Sequence, residues 1–201
     1  MTPAVYHAFE EICSLSPIHG RVLEVGAVPG PESLLRMASL RAASLKVGIN
    51  MDTAFPADGG EIIQANANRM DCFASASFDC VVCNATLEHD RCFWKTIAEI
   101  HRVTAPGGLI VIGVPGYAGS GLRTFAPKRS VLGIVLRVLA KITTTPVLRE
   151  GTVILGEHNY PGDYYRFSEQ AVREVFLAGL VGVSVRTVLT PPRLIGWGIK
   201  P

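Results

Sequence analysis

Short apolar runs bounded by glycine, proline and polar clusters alternate along this chain with segments whose apolar residues return every three to four positions. Val22, Leu23 and Val25 in RVLEV form a run of the kind found in parallel strands covered on both faces. SLKVGIN (44–50), EIIQANA (61–67), SFDCVVCN (77–84) and LIVIGVP (109–115) predict four more strands. VGVSVRTVLT (181–190) and PPRLIGWGIK (191–200) predict a final antiparallel pair. Helical spacing covers AVYHAFEEICSL (4–15), LLRMASLRAA (34–43, after Pro31), CFWKTIAEIHRVT (92–104) and residues 168–179. Pro106, Gly107 and Gly108 stop the third of these helices, and the loop MDTAFPADGG leaves room only for a very short one.

Strands alternating with helices argue for an α/β fold, a doubly wound parallel sheet with right-handed crossovers whose ligands sit at the carboxyl ends of the strands. At 201 residues, with 48% hydrophobic and 18% charged residues, the chain predicts a single domain spanning 1–201. The rhythm breaks after residue 116, and 117–157 is read as an insertion carrying one apolar helix, SVLGIVLRVLAKI (130–142).

A formal net charge of +2 without a long basic run gives no reason to expect nucleic acid as a partner. Residues 1–20 do not resemble a signal peptide, and five cysteines, an odd number set mostly in apolar stretches, suit reduced thiols and a cytoplasmic location. Cys80 and Cys83 form C-x-x-C within a strand, where residues three apart face opposite sides, so no metal site is expected. The helix at 130–142 is too short and too charged to span a membrane, but residues 128–142, with Lys128, Arg129 and Arg137, suit peripheral contact with a lipid surface or a lipid-linked acceptor.

The candidate chemistry centres on RVLEVGAVPG, a buried strand running into a glycine turn. Dinucleotide sites use G-x-G-x-x-G, with an acid about 20 residues later. Here Glu24 precedes the glycines. A carboxylate there repels a pyrophosphate but suits a cationic ligand such as S-adenosylmethionine, which carries a sulfonium and an ammonium. The segment resembles motif I, E/D-x-G-x-G-x-G, of the class I S-adenosylmethionine-dependent methyltransferases, with Val28 at the middle glycine. SFDCVVCNATLEHD and IAEIHRVTAPGGLIVIGVP are similar to the family's fourth-strand and fifth-strand stretches. HNYPGDYYRFS is similar to an H-x-x-P-x-D-Y-x-R-F-T element of a bacterial, type 11-like subset found near polysaccharide or natural-product genes.

The resemblance implies a Rossmann-like, seven-stranded, mostly parallel sheet with an antiparallel last strand and a helical lid after strand five. It implies S-adenosylmethionine as cofactor and S-adenosylhomocysteine as product. Glu24, Gly26, Ala27 and Gly30 match the motif I loop, and Asn50 stands where an acid normally holds the ribose, with Met51 against the adenine. Asn66 and Ala67 match the adenine-binding position, and Asn84 the loop after strand four. Amides at 50 and 66 can still bond a diol or an amino group. His89 and His158 are the candidate general bases, because methylating a hydroxyl needs its proton removed. Tyr160, Tyr164 and Arg166 are candidate acceptor contacts, although Asp163 and Arg166 can instead pair with each other.

The function implied is methyl transfer to a small molecule, most simply O-methylation of a natural product or saccharide. Two other readings stay open: a degenerate, non-catalytic binding protein on the same fold, and an NAD-dependent oxidoreductase.

Overall fold

Alternating side chains of the first strand separate two cores, one on each face of a central sheet. The structure, a computed structural model, describes residues 1–52, 54–57, 60–119, 131–142, 152–154, 156, 162–189 and 191–201. In chain order the first elements are α1 (Pro3–Cys13), β1 (Arg21–Val25), β2 (Leu45–Asn50), β3 (Phe55–Ala57), β4 (Gly60–Gln64) and β5 (Phe78–Asn84). Then follow α2 (Phe93–Val103), β6 (Thr104–Pro115), β7 (Tyr117–Gly119), α3 (Val131–Ile142) and β8 (Thr152–Ile154). Last come α4 (Glu169–Ala171, continued by a π-helical stretch Val172–Phe176), β9 (Val181–Val188) and β10 (Arg193–Ile199).

The main sheet has the order β3-β4-β2-β1-β5-β6-β10-β9. β4, β2, β1, β5 and β6 run parallel, and β10 enters antiparallel between β6 and β9. These are the seven strands expected from the pattern. The eighth, β3, is a short antiparallel edge on β4 in the loop where only a very short helix had room. Pro56 is tolerated there because an edge strand need not donate every N–H. β7 and β8 pair antiparallel, so the two ends of the insertion close on each other as a ribbon.

The helix expected over 34–43 does not form as one piece. Two 3-10 turns, Leu34–Arg36 and Ala38–Leu40, replace it, with Met37 extended between them. Carboxylates from elsewhere take the N–H groups of both turns: Glu24 binds Leu34 and Leu35, and Glu10 of α1 binds Ala38 and Ser39 at 2.9 and 2.6 Å.

α1 and these turns cover one face, packing Phe9, Leu34, Leu35 and Leu40 on Val22, Cys80, Val82 and Val111. α2 and α4 cover the other, packing Ile97, Ile100 and Phe176 on Leu23, Val25, Val81, Cys83 and Ile112. Cys80 and Cys83 thus sit in opposite cores, as pleat alternation requires. No described helix is long and apolar enough to cross a membrane.

Candidate functional site

The chain leaves β1 through Gly26, which takes φ +77°, and the N–H groups of Gly26 and Ala27 both bond the Ile49 carbonyl at the end of β2. A Cβ at Gly26 would lie 2.0 Å from Thr86 Oγ1, so only glycine lets this turn pass over the loop after β5. Thr86 in turn donates to the carbonyl of Val25 or of Asn84, each at 3.2 Å. These contacts hold the carboxyl ends of β1, β2 and β5 around one opening.

That opening is a cavity of about 780 Å³. Gly26, Val28, Ile49, Asn50, Met51 and Asp52 form one side, Ala65, Ala67 and Asn68 with Asn66 a second, and Ala85, Thr86, His89, Asp90 and Arg91 a third. Its size falls within the range of about 300–1,000 Å³ typical of small-molecule sites, and its position is the strand-end crevice of a doubly wound sheet. The lining combines aliphatic surface from Ile49, Ala65 and Ala67 with two acidic residues, Asp52 and Asp90.

Asp90 is held firmly. Its Oδ2 accepts from Asn68 Nδ2 at 2.6 Å and Thr96 Oγ1 at 2.7 Å, and its Oδ1 from the Cys92 N–H at 2.8 Å. His89 ends a 3-10 turn, Leu87–His89, anchored by its N–H to the Thr86 carbonyl. Glu88 beside it is buried and meets Arg193 Nη1 at 3.3 Å, while its own carbonyl accepts the Tyr164 N–H at 2.8 Å. Burial raises the Glu88 pKa, with Arg193 acting against it.

Glu24 points away from the cavity. In the β1 pleat it faces the side opposite Leu23 and Val25, is 4% exposed, and accepts from Ser33 Oγ at 2.8 Å and from the N–H groups of Leu34 and Leu35 at 3.1 and 3.3 Å. Burial raises its pKa and these three bonds oppose the rise. In the first helical turn after β1, the N–H groups of Leu34 and Leu35, of the kind that meet a pyrophosphate in a dinucleotide site, are therefore occupied by a carboxylate.

Residues 24–112 match the family model described as a methyltransferase domain. That match spans 89 of the 201 residues. No curated protein sequence matches the chain. Among solved structures it is similar to phosphoethanolamine N-methyltransferase 2 of Haemonchus contortus in complex with phosphomonomethylethanolamine and S-adenosylhomocysteine, with a TM-score of 0.62 at 13% identity. That match covers 98% of this chain and 52% of the other, so the chain spans about half the length of that protein. It is also similar to 1,6-didemethyltoxoflavin-N1-methyltransferase of Burkholderia thailandensis with bound 1,6-didemethyltoxoflavin and S-adenosylhomocysteine, with a TM-score of 0.60 at 15% identity, covering 98% and 78%. The shared feature is the fold.

The cavity brings together Gly26, Asn50, Met51, Asn66, Ala67 and His89 of the sequence candidates. Glu24, Ala27, Gly30 and Asn84 do not line it. Ala27 is fully buried, Gly30 turns the chain at φ +92°, and the Asn84 amide donates to Met1 Sδ at 3.3 Å. Asn50 lines the wall but spends its amide on the fold: Nδ2 donates to the Ala27 carbonyl at 2.6 Å and Oδ1 accepts the Asp52 N–H at 3.1 Å. Asn66 Oδ1 likewise accepts the Asn68 N–H at 2.9 Å.

Arg166 takes the pairing with Asp163 that the sequence offered beside an acceptor contact. Its Nη1 and Nη2 meet both oxygens of Asp163, at 2.5 and 2.6 Å, and Nη2 also bonds the Gly156 carbonyl. Tyr164 reaches the rim through Arg91, whose Nε donates to its hydroxyl at 2.9 Å. His158 and Tyr160 lie outside the described residues. Sequence reasoning missed Thr86, Asp90 and Arg91. The available signal was the L-E-H-D run following directly on a strand end, which places Asp90 beside a candidate base.

Proposed function

We propose that this chain transfers a methyl group from S-adenosylmethionine to a hydroxyl of a small natural product or saccharide, releasing S-adenosylhomocysteine. The observation that carries the reading is the Glu24 carboxylate on Ser33, Leu34 and Leu35, which already places an anion on the first turn after β1 and disfavours a dinucleotide there. A cavity of about 780 Å³ with Asp52 and Asp90 in its wall suits a cationic, phosphate-free nucleoside. The residues present therefore fit this cofactor, which when bound supplies a methyl carbon already activated by its sulfonium.

The chain's own task is then positioning and proton removal. Gly26 lets a ligand approach the backbone, Ile49, Ala65 and Ala67 offer apolar surface to a base, and Asp52 offers the acceptor that Asn50 no longer provides. His89 is the described residue suited to take the acceptor hydroxyl's proton, and Tyr164 with Arg91 suits the acceptor side of the rim. The buried thiols Cys13, Cys80 and Cys83 suit a reducing cytoplasm.

Calorimetric titration with S-adenosylmethionine, S-adenosylhomocysteine and NAD tests the reading. Saturable binding of the first two, and none of NAD, supports it. No binding at millimolar S-adenosylmethionine overturns it in favour of a non-catalytic binding protein, and tight NAD binding in favour of an oxidoreductase.

A further inference from the structure

Helix α3 turns an apolar face outward. Val131, Ile134, Val135, Val138, Leu139 and Ile142 follow each other at spacings of three and four, so they form one continuous stripe along the helix. All six are exposed, from 42% at Leu139 to 79% at Val131, whereas Gly133, on the far side of the helical wheel, is buried. Unpartnered stripes of this size mark interaction surfaces.

Charge indicates the partner. Between Glu99 and Glu150 the sequence holds no Asp or Glu, while 117–149 carries Arg123, Lys128, Arg129, Arg137, Lys141 and Arg149. A second copy of the chain would bring the same basic surplus against this one. An anionic lipid surface complements both the stripe and the charge. With 12 residues, α3 is about 18 Å long at 1.5 Å per residue, far short of the roughly 30 Å hydrocarbon core, so it can only lie in the interface.

We propose that α3 is an interfacial docking helix that seats the protein on membranes rich in anionic lipids, its apolar stripe in the acyl boundary and the basic charge of the segment drawing it to the headgroups. This goes beyond methyl transfer, and its readout needs no cofactor.

The test is flotation of the full chain with vesicles of phosphatidylcholine alone and of an equal mixture with phosphatidylglycerol, at low and high salt. Binding to the mixed vesicles, about tenfold weaker on the neutral ones and weakened by salt, is expected. Val135→Asp with Leu139→Asp, both at exposed positions, is expected to lower it about tenfold further while leaving thermal unfolding and cofactor titration unchanged. No flotation of the wild type, or equal flotation of the variant, overturns the proposal. So does a dimer in light scattering that this variant dissociates, because the stripe would then belong to a second copy. Failure here leaves the cofactor titration untouched, so the two readings fail separately.

Discussion

Arg193, the first residue of the antiparallel β10, donates from Nη1 to Glu88 Oε1 at 3.3 Å and so ties the last strand to the turn that carries His89. Glu88 is fully buried, and among the described residues its Oε2 has no hydrogen-bond partner. Removing one member of a buried pair leaves a charge without compensation, which costs about 3–5 kcal/mol. Arg193→Ala should therefore lose about 3 kcal/mol in urea denaturation. Replacing both partners, Glu88→Leu with Arg193→Met, should cost less than Arg193→Ala alone. An additive double change would mean that the pair is not coupled.

The same carboxyl makes stability depend on pH in a definite direction. Burial raises the Glu88 pKa in the folded state above the ordinary glutamate value of about 4.3. Between those two values the folded chain keeps a proton that the unfolded chain has released, so stability falls as pH rises across the window. Glu24, raised by burial as well, acts in the same sense. The stability advantage of Glu88→Gln over the wild type should grow with pH through this window and level off above it. An advantage that shrinks with rising pH would mean that Arg193 outweighs burial.

The strands were legible because each apolar run is a local signal, and their parallel pairing follows from alternation with crossovers, whereas the order β4-β2-β1-β5-β6 is read from the structure alone. The segment after β1 was not, because its conformation is set at a distance: Glu10 and Glu24 cap Ala38, Ser39, Leu34 and Leu35 across 10 to 29 positions of sequence. Local periodicity cannot register such bonds. The same holds for Glu24 itself. Its place in the motif pointed to the ligand, but the β1 pleat turns it to the opposite side of the sheet. Gly26, Asn50, Asn66 and His89 were found because each ends a strand or follows one, where a doubly wound sheet opens.

Two glycines of the turn separate strain from collision. Gly26→Ala meets both, with φ +77° and a Cβ 2.0 Å from Thr86 Oγ1, whereas Gly30→Ala meets only φ +92°, with nothing within 4 Å. Gly30→Ala should cost about 1–2 kcal/mol in thermal unfolding and leave S-adenosylmethionine affinity unchanged. Gly26→Ala should cost more and weaken the affinity as Thr86 is displaced. Adding Thr86→Ala should restore part of the stability. No restoration would assign the whole cost to backbone strain.

Asn50 and Asp52 stand two residues apart with different duties. Because the Asn50 amide already braces Ala27 and the Asp52 N–H, Asn50→Ala should lower stability by about 1 kcal/mol per hydrogen bond lost. Asp52→Ala, in an exposed position on the cavity wall, should leave stability unchanged. It should weaken S-adenosylmethionine binding by about tenfold, the worth of a charge-assisted bond of roughly 1.5 kcal/mol. Calorimetry decides between them: unchanged affinity in Asp52→Ala would return the ribose to Asn50.

His89 and Asp90 are adjacent in sequence and both line the cavity, so each is the control for the other. If His89 accepts the acceptor proton, His89→Ala should lower kcat by about 10²–10⁴-fold while the S-adenosylmethionine Kd stays within about twofold. Asp90→Ala removes an acceptor shared by Asn68, Thr96 and the Cys92 N–H, leaving the Thr96 hydroxyl and the Cys92 N–H without theirs, while Asn68 keeps only its bond to Thr96 Oγ1 at 2.9 Å. It should lower stability and affinity in parallel, with any loss of kcat following from misplacement. The deciding measurement is the methyl acceptor itself: a substrate whose nucleophile needs no deprotonation should react with His89→Ala at close to the wild-type rate and poorly with Asp90→Ala. Equal loss in His89→Ala on both kinds of acceptor would make His89 a wall of the cavity and remove it from the proton path.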